Sequence, residues 1–201
     1  MLTAAQAKLE KDAALSDTSV PAAMRAALAA GGSRLVRPDG SVLCEIWLRK
    51  SLPAGKVMAA KGGGYPEMWE SALLGVMWFP NGGKDFRGQA IKPGFYTMRY
   101  ELLPEDGNHL GVAPTRDFVL LVAASADRDP DAQYDFAQLV KLSSQAAGTN
   151  HPAVFVLLQP TGDLPRTYQN PDGFQVFADA IKTDGGKILP IALVVRGQAE
   201  Q

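Results

Sequence analysis

The chain of 201 residues is poor in the residues that most often do chemistry: it has one cysteine and two histidines. A lone cysteine, Cys44, cannot form a disulfide within the chain. Its setting in SVLCEIWL, apolar on both sides, reads as a buried strand thiol, not a reactive one. HExxH, CxxC and EF-hand patterns are missing, as are GxSxG and a glycine-rich loop leading into a lysine and a hydroxyl, so no catalytic signature names a reaction. No apolar run reaches the roughly 18 residues of a spanning helix. Neither sign of charge dominates: 20 Lys and Arg stand against 21 Asp and Glu, a net charge of -1. That balance gives no electrostatic pull toward nucleic acid or an anionic membrane.

Turn formers are what the chain has in quantity, with 20 glycines and 14 prolines, and 46% of its residues are apolar. This length builds one core with embellishments. Residues 1–32 are alanine-rich, with apolar positions at roughly helical intervals, and read as a helical N-terminal extension of two short helices. The opening MLTAAQAKLEKDAALS is not an intact secretory signal. From residue 33 strands take over. SRLVRPDGSVLCEIWLRK reads as a hairpin turning at Pro38-Asp39-Gly40, with Val42, Cys44, Ile46 and Leu48 on the core face and Leu43, Glu45, Trp47 and Arg49 on a partly covered one. SALLGVMWFP, AIKPGFYTMRYELL, DFVLLVAA, HPAVFVLLQP, FQVFADAIKT and KILPIALVVRG supply further strands. Asp131 or Asp135 caps a helix over 134–147 that Gly148 ends. The stretch 50–68, with its Gly62-Gly63-Gly64 run, reads as a long loop, lid or arm. The pattern predicts a mainly β domain over 33–201: an antiparallel two-sheet β-sandwich of immunoglobulin-like flavour, with N-terminal helices and one packed helix.

IKPGFYTMRY (91–100) resembles the tyrosine corner of immunoglobulin-like and fibronectin-like sandwiches, in which an early strand tyrosine, here Tyr96, bonds back to the preceding turn. NGGKDFRGQ, PGFYTMRY, DGNHLG, RDFVLLV and GTNHPAVF together resemble uncharacterised bacterial cell-envelope proteins. That likeness implies an extracytoplasmic setting, periplasmic or secreted once a leader has been removed, and carries over no activity.

Three functional readings stay open. A noncatalytic binding or structural module would contact a protein partner, or another copy in an oligomer, through the linker at 56–69, with Tyr65, Trp69, Trp47 and Arg116 as binding residues. The same aromatics, if exposed, would make a platform for carbohydrate. The third is a divalent-metal site or metal-dependent enzyme at Asp106, His109, Asp117 and His151, since imidazoles with carboxylates suit zinc or a similar ion. Its blander counterpart is that Asp106-Gly107-Asn108 is ordinary turn chemistry and each histidine fixes its own loop.

Overall fold

The computed structural model describes residues 6–53, 62–104 and 113–197. In chain order the elements are β1 (Lys8–Asp12), α1 (Ala22–Ala27), β2 (Gly32–Val36), β3 (Val42–Leu48), β4 (Leu73–Phe79), β5 (Gly83–Lys84), β6 (Ala90–Ile91), β7 (Gly94–Leu102), β8 (Asp117–Ala123), α2 (Phe136–Ala147), β9 (Val154–Leu158), β10 (Arg166–Gln169), β11 (Gln175–Lys182) and β12 (Ile188–Arg196). The protein is mainly β, as its turn-rich alternating sequence predicts. The pairing differs from two separate sheets. Ten strands form one antiparallel sheet in the order β1-β2-β3-β4-β7-β8-β9-β12-β11-β10, and β5 and β6 make a small ribbon. The sheet curls nearly into a barrel. Across the seam between its two edges, just before β1, the Gln6 side chain donates to Thr167 O of β10 and Ala7 N donates to Gln175 Oε1 at the start of β11.

Curling divides each strand into an inner and an outer side. Along β8, Val119 and Leu121 point into the main core while Phe118, Leu120 and Val122 serve clusters outside the sheet. The outer side is therefore covered too. Met24 of α1, with Val20 and Leu28, packs on Trp47, Leu73 and Val76. Leu139 of α2 packs on Leu120 and Val122. This double burial explains why SALLGVMWFP and DFVLLVAA read as unbroken apolar runs.

Several sequence expectations hold at the level of single bonds. Tyr96 donates its hydroxyl to Lys92 O at 2.9 Å, closing the tyrosine corner. Helix α2 starts at a capping box in which Asp135 accepts from Gln138 N and the Gln138 side chain from Asp135 N, and it ends at Gly148 in the left-handed conformation.

Others are corrected. Residues 8–12 form a strand on β2, not a helix. KLEKD favours helix by propensity, but Leu9 opposite Leu35 gains an apolar wall at the sheet edge. In the β2–β3 hairpin the register advances from Leu35 to Val36 on one side and from Cys44 to Val42 on the other, so Leu43 is an extra residue. The bulge turns Leu43 into the core beside Cys44, off the half-covered face its position in the alternation implies.

Candidate functional site

The two ends of the curled sheet differ. One is closed by the chain between β3 and β4. Leu52 is fully buried and tied by backbone bonds to Lys182 and Asp184. Tyr65, Met68, Trp69 and Ala72 enter the main core. Gly64 N donates to both carboxylate oxygens of Asp117, at 3.0 and 2.9 Å, and Tyr100 donates its hydroxyl to Asp117 Oδ1 at 2.6 Å. Tyr65 donates to Leu158 O. Glycine is needed at 63: a Cβ there would sit 2.6 Å from the Tyr100 hydroxyl and 2.8 Å from Asp117 Oδ1.

These contacts redefine the sequence candidates. Trp47, Tyr65 and Trp69 are 4%, 4% and 6% exposed, so they form no open platform for sugar or protein. Residues 62–69 are a plug, not a free arm; the rest of the expected contact segment, 56–61, lies outside the described residues. The apolar partners that bury Tyr65 and Trp69 come from strands far away in sequence, which composition alone does not reveal. Arg116 donates from Nε and Nη2 to Leu103 O and from Nη1 to Gly62 O, joining the start of β8 to the plug.

Of the proposed metal set the structure describes Asp117 and His151, and it does not bring those two together. Asp106 and His109 lie outside the described residues. Asp117 is buried and engaged as above, at the plugged end. His151 is exposed near the opposite end of β9: Phe118, next to Asp117, lies opposite Val156, and His151 is a further five residues back, roughly 17 Å of extended chain. Among the described residues no group of three His, Cys, Asp or Glu side chains is placed to hold a metal ion. Cys44 is fully buried, and burial pushes its thiol up to about 12, so it stays protonated and inert.

A polar network on the outer side of β7 is fully engaged. Asp127 takes Arg99 Nε at 2.8 Å and Nη2 at 2.7 Å, the Thr97 hydroxyl at 2.6 Å and the Tyr134 hydroxyl at 3.1 Å. Arg99 also holds the carbonyls of Ser71, Asp129 and Ala132, and Arg49 holds that of Pro130. With both Arg99 and Asp127 fully buried, this network fastens the 124–134 connection to the sheet and leaves no donor for a ligand.

The other end of the sheet is open. A cleft of about 910 Å³ lies between the β2–β3 turn (Arg37, Pro38, Asp39), the turn after β4 (Asn81 to Asp85) and the end of β12 (Val195 to Gly197). Behind it lie Leu43, Phe79 and Val195 of the main core, which are only 6%, 1% and 4% exposed, so the polar and charged side chains of the three loops make up most of its side-chain surface. Its carboxylates are already engaged. Asp85 accepts from the N–H groups of Arg87, Gln89 and Val154 and from the Gln89 side chain, and Asp39 accepts from Ser41 N and Oγ. Arg37 Nη1 is shared between Ser41 Oγ and Val42 O. Lys84 and Arg196 are exposed and make no ion pair or side-chain hydrogen bond among the described residues. The sequence reading missed this mouth, although strand parity offered a signal. In an antiparallel meander the turns after β2 and β4 must fall at one end of the sheet.

The chain matches no protein-family profile, no curated protein and no solved structure in comparisons with each.

Proposed function

We propose that the protein is a noncatalytic binding module that receives a small ligand at the open end of its sheet. One observation carries the reading: a cleft of about 910 Å³ between three loops, in a sheet plugged at the far end. Its size falls within the roughly 300–1,000 Å³ of ligand pockets, and its rim carries the side chains of Arg37, Asn81, Lys84 and Arg196, of which Asn81, Lys84 and Arg196 are exposed. The buried polar groups elsewhere serve the scaffold. The resemblance of DGNHLG, RDFVLLV and GTNHPAVF to bacterial envelope proteins supports an extracytoplasmic setting for this activity.

The test is a titration with 8-anilinonaphthalene-1-sulfonate, an anionic fluorescent dye suited to a rim that carries Lys84 and Arg196. Saturable one-to-one binding is expected. It should be abolished by Asn81→Trp, which fills the mouth from an exposed rim position without replacing any core residue. Nonsaturable binding, or binding that survives Asn81→Trp, overturns the reading.

A further inference from the structure

We infer that Asp12 and Glu45 hold one proton between them, and that this shared proton makes the grip of β1 on the sheet pH-dependent, firm in acid and loose in alkali. Glu10, Arg34, Glu45 and Trp78 stand in register across β1, β2, β3 and β4, and Asp12 lies two residues along from Glu10 on the same face. Arg34 reaches both carboxyls: its Nε donates to Glu45 Oε1 at 2.5 Å and its Nη2 to Asp12 Oδ1 at 3.2 Å. Glu45 is 4% exposed and the Asp12 side chain 12%. Two carboxylates would therefore share one guanidinium where little water enters, with one negative charge left unbalanced.

The oxygen atoms locate the proton. Asp12 Oδ1 also accepts from Ala13 N at 2.8 Å, whereas Oδ2 is buried with no partner among the described residues. The Glu45 carboxyl lies within hydrogen-bonding reach of the Asp12 carboxyl. Two anions so placed repel, but an acid and a carboxylate bond, and the acid supplies the donor that Oδ2 lacks. Burial pushes the Glu45 carboxyl above its ordinary 4.5 and the Asp12 charge adds to this, while Arg34 pulls the other way. Among the described residues Arg34 and Asp12 are the charged groups that face Glu45; Glu10 acts on Arg34, and β4 presents the uncharged Trp78. The folded pair keeps a proton that the unfolded chain releases above 4.5, so its contribution is complete in acid and is lost as pH rises through the raised value.

Beyond its ladder with β2, the β1 segment is tied at its start by the Gln6 and Ala7 bonds across the seam and at its end by Trp47 Nε1, which donates to Ala13 O at 2.8 Å. β1 does not pair with β10, and a cleft of about 580 Å³ lies between Lys8 to Glu10 on one side and Pro165 to Thr167 on the other. Loss of the shared proton thus loosens a strand that walls this cleft.

Hydrogen exchange of the full chain, followed by mass spectrometry at pH 4.5 and pH 8.5 with labelling times scaled to the intrinsic rate, reads the grip directly. Protection of the β1 amides, taken relative to those of β11 so that changes in global stability cancel, should fall about tenfold or more between the two, the effect of losing one hydrogen bond to a charged group. The fall should vanish in Glu45→Gln, whose amide can donate to Asp12 Oδ2 at every pH, and in Asp12→Asn, whose amide can donate to the Glu45 carboxylate. Relative protection that stays constant with pH in the parent overturns the shared proton. A fall that persists in either variant, folded, overturns it as well.

Discussion

Glu101 offers the sharpest test of how the sheet was read. Glu101 is 3% exposed, Oε1 accepts from Leu102 N at 2.9 Å, and Oε2 has no partner among the described residues. Burial lifts its carboxyl from the ordinary 4.5 to about 7; the Leu102 N–H works against this and neighbouring Glu70 adds to it. The folded protein thus keeps a proton that the unfolded chain releases. Below pH 4.5 both states are protonated and the group costs nothing. Between pH 4.5 and about 7 the unfolded state gains by ionising, and above that the fold must bury an anion. This group's share of stability is therefore present in acid and lost as pH rises through 7. The interval from 4.5 to about 7 corresponds to about 3 kcal/mol, and we expect about 2–3 kcal/mol because Glu101 lies near a strand end. Glu101→Gln keeps the acceptor for Leu102 N and removes the ionisation. The amide costs about 1 kcal/mol at every pH for its unpaired NH₂, so only the pH dependence is diagnostic. Urea unfolding at pH 4.5 and pH 8, with a slope of about 2 kcal/mol/M, should show the midpoint of the variant moving upward relative to the parent by about 1 M between the two. Midpoints that keep a constant gap across this range would refute the assignment.

Asp127→Asn leaves Arg99 with a buried, uncompensated charge and should cost about 3–5 kcal/mol, read as a fall of about 2 M in the urea midpoint. The pair should also resist apolar replacement. Arg99→Met/Asp127→Leu orphans the carbonyls of Ser71, Asp129 and Ala132 and the Tyr134 hydroxyl, and leaves the Thr97 hydroxyl only its long bond to Val122 O at 3.4 Å, so it should remain at least about 3 kcal/mol below the parent. A double variant of parental stability would show that those bonds are easily replaced. Cys44 should react with a disulfide dye only at the rate of global unfolding, and reaction within seconds in native buffer at pH 8 would contradict its placement.

What could be read from the sequence was local. Pro38-Asp39-Gly40, the apolar run around Gly75, the helix ends at Asp135 and Gly148 and the corner at Tyr96 each carry their geometry in a few neighbours, and the structure forms each of them. What could not be read was decided by partners far along the chain. Lys8–Asp12 is a strand because Leu35 is there to meet it, Leu43 turns inward because one residue too many lies opposite Leu35 and Val36, and Tyr65 and Trp69 are buried because the far end of the sheet needs filling. Alternation counts faces but not sheets, so ten strands in one curled sheet and ten in a sandwich give the same pattern. The candidate site suffered most. Histidines and exposed aromatics draw the eye in a sequence, whereas the mouth is built from ordinary Leu, Phe, Val, Lys and Arg brought together by strand ends.

The seam between β1 and β10 also bears on how the molecule is made. Its two hydrogen bonds join residues 161 and 168 positions apart. Most other strand pairings are hairpins or short returns that can form as the chain emerges. Synthesis therefore yields a growing ribbon whose first edge stays bare until residues 166–175 have left the ribosome, and the entropy of closing so long a loop is met only when the rest of the sheet has already brought the two edges close. During that interval Lys8–Asp12 is the exposed edge, and its alternating charges guard it against pairing with the wrong strand.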